Sequence, residues 1–208
     1  MIKISDISIE KLRNGEFQDE LPEFFELESC IEDNRWHSDE SVFTHTLKVL
    51  EELGILLGTV NDRVSSYLGQ TVEIYSRKDL LFLGALFHDI AKAETLTEEE
   101  GVTSCPEHEE MGSKKVRRIL DRFDLSEEEK TIVTNIVRYH GEIHGILSPE
   151  NDEIENQLTE FRSRHQEIFT ELILLGMSDT FGSQLEDNHP EDYNFRRDSY
   201  ERIIDNPC

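Results

Sequence analysis

The chain has 208 residues, of which 36% are hydrophobic and 32% are charged, so it is long enough to bury the core of one domain. Its 46 acidic residues outnumber its 21 basic residues and give a formal net charge of −25, which repels the phosphates of extended DNA or RNA. We therefore expect no long nucleic acid as a partner. The charge alone leaves two origins open, an acidic mesophilic protein and a halophilic one.

Cysteine usage and apolar runs point to the compartment. Cys30, Cys105 and Cys208 are widely spaced and form no C-x-x-C pair, so they indicate neither a disulfide framework nor a thiolate zinc site. The first residues lack the long apolar core of a signal peptide, and the longest apolar runs, around 80–87 and 172–177, are too short to cross a bilayer. These features predict a cytoplasmic protein without a membrane partner and leave its oligomeric state open.

The first half of the chain contains three predicted helices. Residues 1–35 are acid-rich and weakly periodic, which predicts a peripheral N-terminal arm or short helices. From Ser41 the apolar positions recur with helical spacing, and residues 38–41 offer side chains that can cap the start of this helix. A second helix is predicted for 61–68. A third, over 77–93, is apolar on most sides through Phe87, which is typical of a central buried helix.

The second half is also helical in pattern. Residues 95–104 are predicted to form an acidic loop, after which Pro106 suits the first turn of a helix. Ser126 and Glu129 have the spacing of a capping box, for a helix that ends before Gly141. A polar segment begins at 149, and a last long helix is predicted for 159–178. No segment alternates convincingly like a strand, so we predict an all-α fold of six to eight helices, with the arm (1–35) followed by one domain (36–208).

The pair His88-Asp89, at the end of an apolar helical run, is the most informative feature. It places a nitrogen ligand beside a carboxylate where water is scarce, and a buried carboxylate needs a cation or strong donors. A metal ion would satisfy both residues. The alternative is that His88 packs in a core and Asp89 caps a neighbouring backbone.

Further candidate ligands lie on other predicted helices or at their ends: His45, His108, His140 and Asp179. A helical bundle can direct such residues toward one centre. Nitrogen and oxygen donors without thiolate suit Mn, Fe, Co, Ni, Zn or Mg. A small phosphate ester remains compatible with the acidic chain, because a buried dication dominates its own surroundings.

Two lysines are candidates for phosphate binding. Lys92 follows His88 by four residues, so on a continuous helix its ammonium would face the same cavity. The alternative is a surface lysine that pairs with Asp89 or Glu94. Lys115 lies near the His108 end of its helix, with ion pairing to the abundant acids as the alternative.

The remaining histidines differ in what their neighbours indicate. His144 follows His140 by four residues, but Gly141 between them is expected to break the helix, which leaves His144 as a candidate substrate or ligand residue. Three others stand among polar neighbours and are predicted to be solvated: His37, His165 and His189.

Four ordered segments carry a resemblance to a known family: Val-Phe-Thr-His-Thr-Leu-Lys-Val-Leu (42–50), Ala-Leu-Phe-His-Asp-Ile-Ala-Lys (85–92), His-Glu-Glu-Met-Gly (108–112) and the stretch 114–120. Together with Asp179 they resemble the HD superfamily of metal-dependent phosphohydrolases. They are most similar to the HD domain attached to bacterial CCA-adding tRNA nucleotidyltransferases. The similarity covers about 36–182. The chain departs from the pattern in lacking a nucleotidyltransferase head and in having Ala91 where a glycine often precedes the motif lysine.

The resemblance implies a helical HD bundle in which His45, His88, Asp89 and Asp179 hold one metal, while His108 and His140 hold a second, bridged by Asp89. Two divalent ions about 4 Å apart would clamp a phosphate and activate a water. With Asp89 and Lys92 as catalytic residues, we expect hydrolysis of a small nucleotide, a 2′,3′-cyclic nucleotide or another phosphate ester. The alternatives are a deoxynucleoside monophosphatase and a non-catalytic sensor or interaction protein that keeps the fold.

Overall fold

A computed structural model describes residues 1–205 and shows an almost entirely helical protein. Its α-helices in this range are α1 (Ile9–Arg13), α2 (Pro22–Phe25), α3 (Val42–Leu57), α4 (Asp62–Leu68), α5 (Arg77–Phe87), α6 (Lys92–Thr95), α7 (His108–Ile119), α8 (Glu127–Tyr139), α9 (Glu142–Ile146), α10 (Ile154–Arg164), α11 (Phe169–Gly182), α12 (Leu185–Asn188) and α13 (Pro190–Asp205). The all-α prediction is confirmed. Within 1–205, eight of these helices have seven or more residues, the upper limit of the six to eight predicted, and five shorter ones are additional.

Two small antiparallel sheets accompany the helices. Strands β1 (Ile31–Glu32) and β2 (Glu40–Ser41) form one, and β3 (Thr97–Glu99) and β4 (Val102–Ser104) form the other. The predicted acidic loop over 95–104 was therefore wrong. A tight turn connects β3 to β4 through Glu100 and Gly101, whose φ angles are 52° and 82°. Two consecutive positive φ angles suit the twist of a hairpin, and glycine adopts one of them without strain.

Polar caps that the sequence displays fix where the main helices begin. The Ser41 hydroxyl accepts the Thr44 N–H at 3.2 Å, at the start of α3. At the start of α8 the predicted capping box is present, since Ser126 and Glu129 each accept the other's backbone N–H. The fully buried Glu129 carboxylate also accepts the N–H of Tyr75 at 2.6 Å, which attaches α8 to the loop before α5.

Three predicted helix boundaries were wrong. The helix over 77–93 ends at Phe87, because the chain turns at the His-Asp pair and α6 starts separately. The helix over 159–178 is two helices, α10 and α11, separated by four residues that include the buried His165. Pro106 precedes α7 instead of occupying its first turn, and Glu107 before the helix has a φ of 59°.

One hydrophobic core runs through the described residues and includes side chains from Ile4 to Ile203. Segment 1–35 forms short helices, one of the two predicted alternatives, but its Leu12, Leu21 and Phe24 side chains are fully buried in this core. The prediction that this segment is peripheral was therefore wrong, because it packs into the core. In the described part of the chain, none of the helices has both the length and the apolar character that a membrane crossing requires.

Helices α3 and α11 make the most extensive helix pair of the fold. Gly182, in the last turn of α11, allows them to approach closely, because a Cβ there would lie 2.8 Å from the backbone nitrogen of Val49. Asp179 and His45 precede these two contact residues by about one turn on their respective helices. The close approach of the backbones therefore places both side chains opposite each other.

Candidate metal centre

The predicted ligands gather where several helix ends meet. His88 and His140 directly follow α5 and α8, His108 begins α7, and His45 and Asp179 face each other across α3 and α11. Asp89, His108, His140 and Asp179 line a cleft of about 470 Å³. His45, His88, Asp89 and His140 are 2% exposed or less, so water has little access to their inner atoms. The structure thus brings all six predicted metal ligands together.

Backbone carbonyl groups fix the orientation of three imidazole rings. The Nδ1 atoms of His88, His108 and His140 lie 2.8, 2.7 and 2.7 Å from the carbonyl oxygens of Ala85, Cys105 and Val137, each three residues earlier. A carbonyl oxygen can only accept, so each Nδ1 must carry the proton. The Nε2 atoms then direct their lone pairs into the centre, the arrangement found in histidine ligands of metals.

The first ligand group contains His45, His88 and Asp179, with one oxygen of Asp89 beside it. The His45 Nε2 lies 2.9 Å from Asp179 Oδ1, and the His88 Nε2 lies 3.1 Å from Asp89 Oδ2. Both nitrogens are buried, yet neither makes a hydrogen bond of acceptable geometry. Buried polar atoms without such a partner need another one, and a metal ion fits two nitrogens and two carboxylates.

The second ligand group uses the other oxygen of the same carboxylate. Asp89 Oδ1 lies 3.4 Å from the Nε2 of His108 and 3.6 Å from that of His140. Asp89, His108 and His140 form a separate cluster of possible ligand atoms. Asp89 therefore presents one oxygen to each group, which is the geometry that a bridging carboxylate requires.

Burial and charge set the protonation states at this centre. Burial raises the pKa of both carboxyl groups. At Asp89 the charge of His88 outweighs this effect, and at Asp179 the hydrogen bond from His144 does, so both pKa values lie well below the ordinary range. Burial lowers the pKa of His45 and His140, which favours the neutral form that binds metals. Asp89 raises the pKa of His88 to about 9 against the effect of burial, so a cation must displace a proton there.

Lys92 is buried at the centre, although not on the helix that the sequence indicated. It is the first residue of α6, and its Nζ lies 3.0 Å from Asp89 Oδ2 and 2.8 Å from Glu32 Oε2. The Asp89 pair was one of the predicted alternatives, but it lies inside the cleft instead of on the surface. Burial lowers the pKa of Lys92, yet the two carboxylates outweigh it, so the ammonium stays charged.

The two other predicted substrate contacts differ in outcome. His144 lines the cleft, and its Nε2 lies 2.8 Å from Asp179 Oδ2, after a helix break beside Gly141 as the sequence predicted. Lys115 does not reach the cleft. Its ammonium donates to the Ile90 carbonyl at 2.9 Å and to Glu94 at 2.6 Å, which is the ion pairing considered as its alternative.

Among the cleft residues that sequence reasoning missed are Glu32, Trp36 and His37, which follow one another closely before α3. His37 was predicted to be solvated, but it is only 5% exposed and its Nδ1 lies 2.9 Å from Glu40 Oε2. The Trp36 ring meets the ring of His144 edge to face, with centroids 5.1 Å apart. Their polar neighbours in the sequence gave no sign that these residues are buried. The pairing of β1 with β2 folds them inward.

Of the other histidines predicted to be solvated, one is buried and one is exposed. His165 is 8% exposed and packs against Tyr139 and Phe161, so that prediction was wrong. His189 is exposed, as predicted.

The sequence model of the HD domain matches residues 42–180 of this chain, a range that contains all six predicted ligands. The chain belongs to the HD domain family. Its sequence is also 27% identical over 171 residues to the Multifunctional CCA protein of Pasteurella multocida (strain Pm70), an alignment that covers 81% of this chain and 36% of that protein. The chain thus spans about a third of the length of this curated relative.

Both matches confirm the resemblance that the four sequence segments indicated. Membership places the chain in a superfamily of metal-dependent phosphohydrolases. Five residues of the cleft lie outside the matched range: Glu32, Asn34, Arg35, Trp36 and His37.

Proposed function

We propose that the protein hydrolyses a small phosphate ester with the help of one or two divalent metal ions, and that a nucleotide, first of all a 2′,3′-cyclic nucleotide, is the substrate. The observation that carries this proposal is Asp89, whose two oxygens face two separate ligand groups in a buried cleft. The resemblance to the HD domain of CCA-adding enzymes supports the choice of cyclic nucleotide.

The residues present fit divalent cations. His45, His88, Asp179 and Oδ2 of Asp89 would hold the first, and His108, His140 and Oδ1 of Asp89 would hold the second. When bound, such ions lower the pKa of a water and neutralise charge on a phosphoryl group. Mn, Fe, Co, Ni, Zn and Mg all suit these nitrogen and oxygen donors.

The protein's own groups position the substrate and the ligands. An ammonium has three N–H donors. Lys92 donates one of them to Glu32 and forms an ion pair with Asp89, which leaves a donor for a phosphate oxygen. His144 donates its Nε2–H to Asp179 Oδ2 and thereby holds Oδ1 toward His45. Its place on the cleft wall also makes His144 a substrate contact.

The size of the cleft and the net charge of the protein favour a small substrate. A cleft of about 470 Å³ is within the usual range for small-molecule sites. The net charge of −25 opposes the approach of extended polyanions, whereas one phosphate group can enter a site that metal ions dominate. Long nucleic acids and membranes are therefore not among the proposed partners.

Metal analysis coupled to a phosphate-ester screen tests the proposal. The purified protein is loaded with Mn, Co, Ni or Mg and assayed with 2′,3′-cyclic nucleotides, deoxynucleoside 5′-monophosphates and a chromogenic phosphodiester. Turnover of the cyclic nucleotides supports the proposal, and preference for the monophosphates supports the deoxynucleoside monophosphatase alternative. Metal-loaded protein that hydrolyses no phosphate ester contradicts both and supports a non-catalytic role.

A pair of lysine variants separates site chemistry from general charge. Lys92→Ala should lower kcat/KM by about 100-fold or more, because it removes a charge-assisted contact to the reacting phosphate. Lys78→Ala removes the same charge from the exposed surface of α5 and should leave kcat/KM unchanged. Equal effects of both substitutions would contradict the role given to Lys92.

A further inference from the structure

Glu32 lies on β1, outside the range that the HD domain matches, yet its carboxylate contacts the ammonium of Lys92. We propose that Glu32 is a positioning residue of the metal centre: by sharing the ammonium of Lys92, it keeps Oδ2 of Asp89 available to a metal ion. This inference rests on the proposed metal centre, and it is independent of which phosphate ester is the substrate.

The shared ammonium sits between two buried carboxylates. The Nζ of Lys92 lies 2.8 Å from Glu32 Oε2 and 3.0 Å from Asp89 Oδ2. Glu32, Lys92 and Asp89 are 4%, 9% and 2% exposed, so water screens none of these charges effectively. Removal of one carboxylate therefore leaves the ammonium with a single strong partner, to which it must bind more tightly.

That remaining partner is an oxygen that the first ligand group also needs. Asp89 Oδ2 lies 3.1 Å from the Nε2 of His88 and 3.8 Å from that of His45. An ammonium and a metal ion would thus compete for one atom. The more of the Lys92 charge that Glu32 neutralises, the more weakly the ammonium holds this oxygen.

The β1–β2 hairpin holds Glu32 in place for this contact. Glu32 stands directly opposite Glu40 in the strand register, an arrangement that is unfavourable for two acids unless cations separate them. Lys48 lies 2.5 Å from Glu40 Oε1, and Lys92 takes the corresponding place on Glu32. His37 lies between the acids, with Nδ1 2.9 Å from Glu40 and Nε2 3.8 Å from Glu32. The hairpin and the His-Asp turn are thereby joined through Lys92.

Mn²⁺ binding to the full chain, followed by the electron paramagnetic resonance of the free ion, tests the inference without any substrate. Glu32→Gln should weaken binding about 10- to 100-fold, as the loss of a group that supports a ligand usually does. Lys92→Met should bind Mn²⁺ at least as tightly as the parent, because it removes the competing ammonium. In the Lys92→Met background, the fold-loss of Mn²⁺ affinity caused by Glu32→Gln should be at least about five times smaller than in the parent. The matched control Glu28→Gln, an exposed acid of the same N-terminal segment, should change nothing.

Three results would overturn the inference: parental Mn²⁺ affinity in folded Glu32→Gln, equal losses in the parent and Lys92→Met backgrounds, or weaker binding by Lys92→Met than by the parent. The last comparison needs no Glu32 variant, so it decides the matter even if Glu32→Gln does not fold. A parent protein that binds no Mn²⁺ overturns the proposed metal centre together with this inference. Parental binding that is insensitive to Glu32 overturns this inference alone.

Discussion

The substitution Gly182→Ala tests whether the close contact of α3 and α11 sets the geometry of the first ligand group. The added Cβ would lie 2.8 Å from the backbone nitrogen of Val49, 2.9 Å from its Cγ2 and 3.0 Å from its Cα. Ordinary carbon contacts begin at about 3.5 Å, so the helices must separate locally by about 0.7 Å. Backbone atoms cannot rotate away as a side chain can. Such overpacking costs about 1–3 kcal/mol, and the better helix propensity of alanine offsets up to about 1 kcal/mol of this.

The same separation acts on the metal ligands. Asp179 precedes Gly182 by three residues and His45 precedes Val49 by four, so a shift of the helices lengthens the 2.9 Å contact between Asp179 Oδ1 and His45 Nε2. We expect Gly182→Ala to lower the free energy of unfolding by about 1–2 kcal/mol and to weaken Mn²⁺ binding. Urea titration of the metal-free protein measures the first effect, and Mn²⁺ titration measures the second.

Gly54→Ala provides the matched control. It lies on α3, and a Cβ there would meet nothing within 4 Å. This variant should gain up to about 1 kcal/mol from helix propensity and keep the metal affinity of the parent. If Gly182→Ala proves as stable as Gly54→Ala and binds Mn²⁺ as tightly, the contact of α3 with α11 does not set the geometry of the first ligand group.

Three further predictions concern single residues. Asp89→Ala should lose both metal ions and all hydrolysis, while circular dichroism shows an intact fold; full activity of the metal-free variant would end the metal-hydrolase account. His108→Ala should lower the metal content, measured by inductively coupled plasma mass spectrometry, from about two ions per chain toward one; an unchanged content with a raised KM would make His108 a substrate contact instead. Hydrogen bonds from His37 and Lys48 outweigh burial and lower the pKa of Glu40 to about 2. Ionised Glu40 therefore stabilises the fold above about pH 4.5, and this contribution disappears as the pH falls toward 2. In urea titrations, Glu40→Gln should lower the free energy of unfolding by up to about 3 kcal/mol at pH 7 and by little at pH 2.

Local signals predicted much of the fold because they act within one helical turn. The capping box of Ser126 and Glu129 and the cap before α3 are visible as short patterns, and the structure contains both. Tertiary contacts decided the features that the sequence did not show. His165 has polar neighbours in sequence, yet it is buried against Tyr139 and Phe161 in the break between two helices. The spacing of apolar residues in the sequence does not indicate where such a break between helices occurs.

The clustering of the six candidate ligands could be predicted from residue type and order, since histidine and aspartate at the ends of apolar helices have few structural reasons to be buried. The residues that contact these ligands and Lys92 could not be predicted in the same way. Glu32 is 60 residues from Lys92 in sequence, and it contacts the lysine only because a two-residue strand pair folds it inward. Lys115 shows the converse, because its proximity to His108 in sequence suggested the cleft, whereas its ammonium binds the Ile90 carbonyl and Glu94.

Anomalous diffraction from crystals loaded with Mn²⁺ would show whether Asp89 presents one oxygen to each of two metal ions. We expect two peaks about 4 Å apart, one bound by His45, His88 and Asp179 and the other by His108 and His140, each with an oxygen of Asp89. Metal–nitrogen bonds should be close to about 2.1 Å. A single peak under saturating metal, with His108 and His140 more than about 4 Å from it, would contradict the bridging role of Asp89.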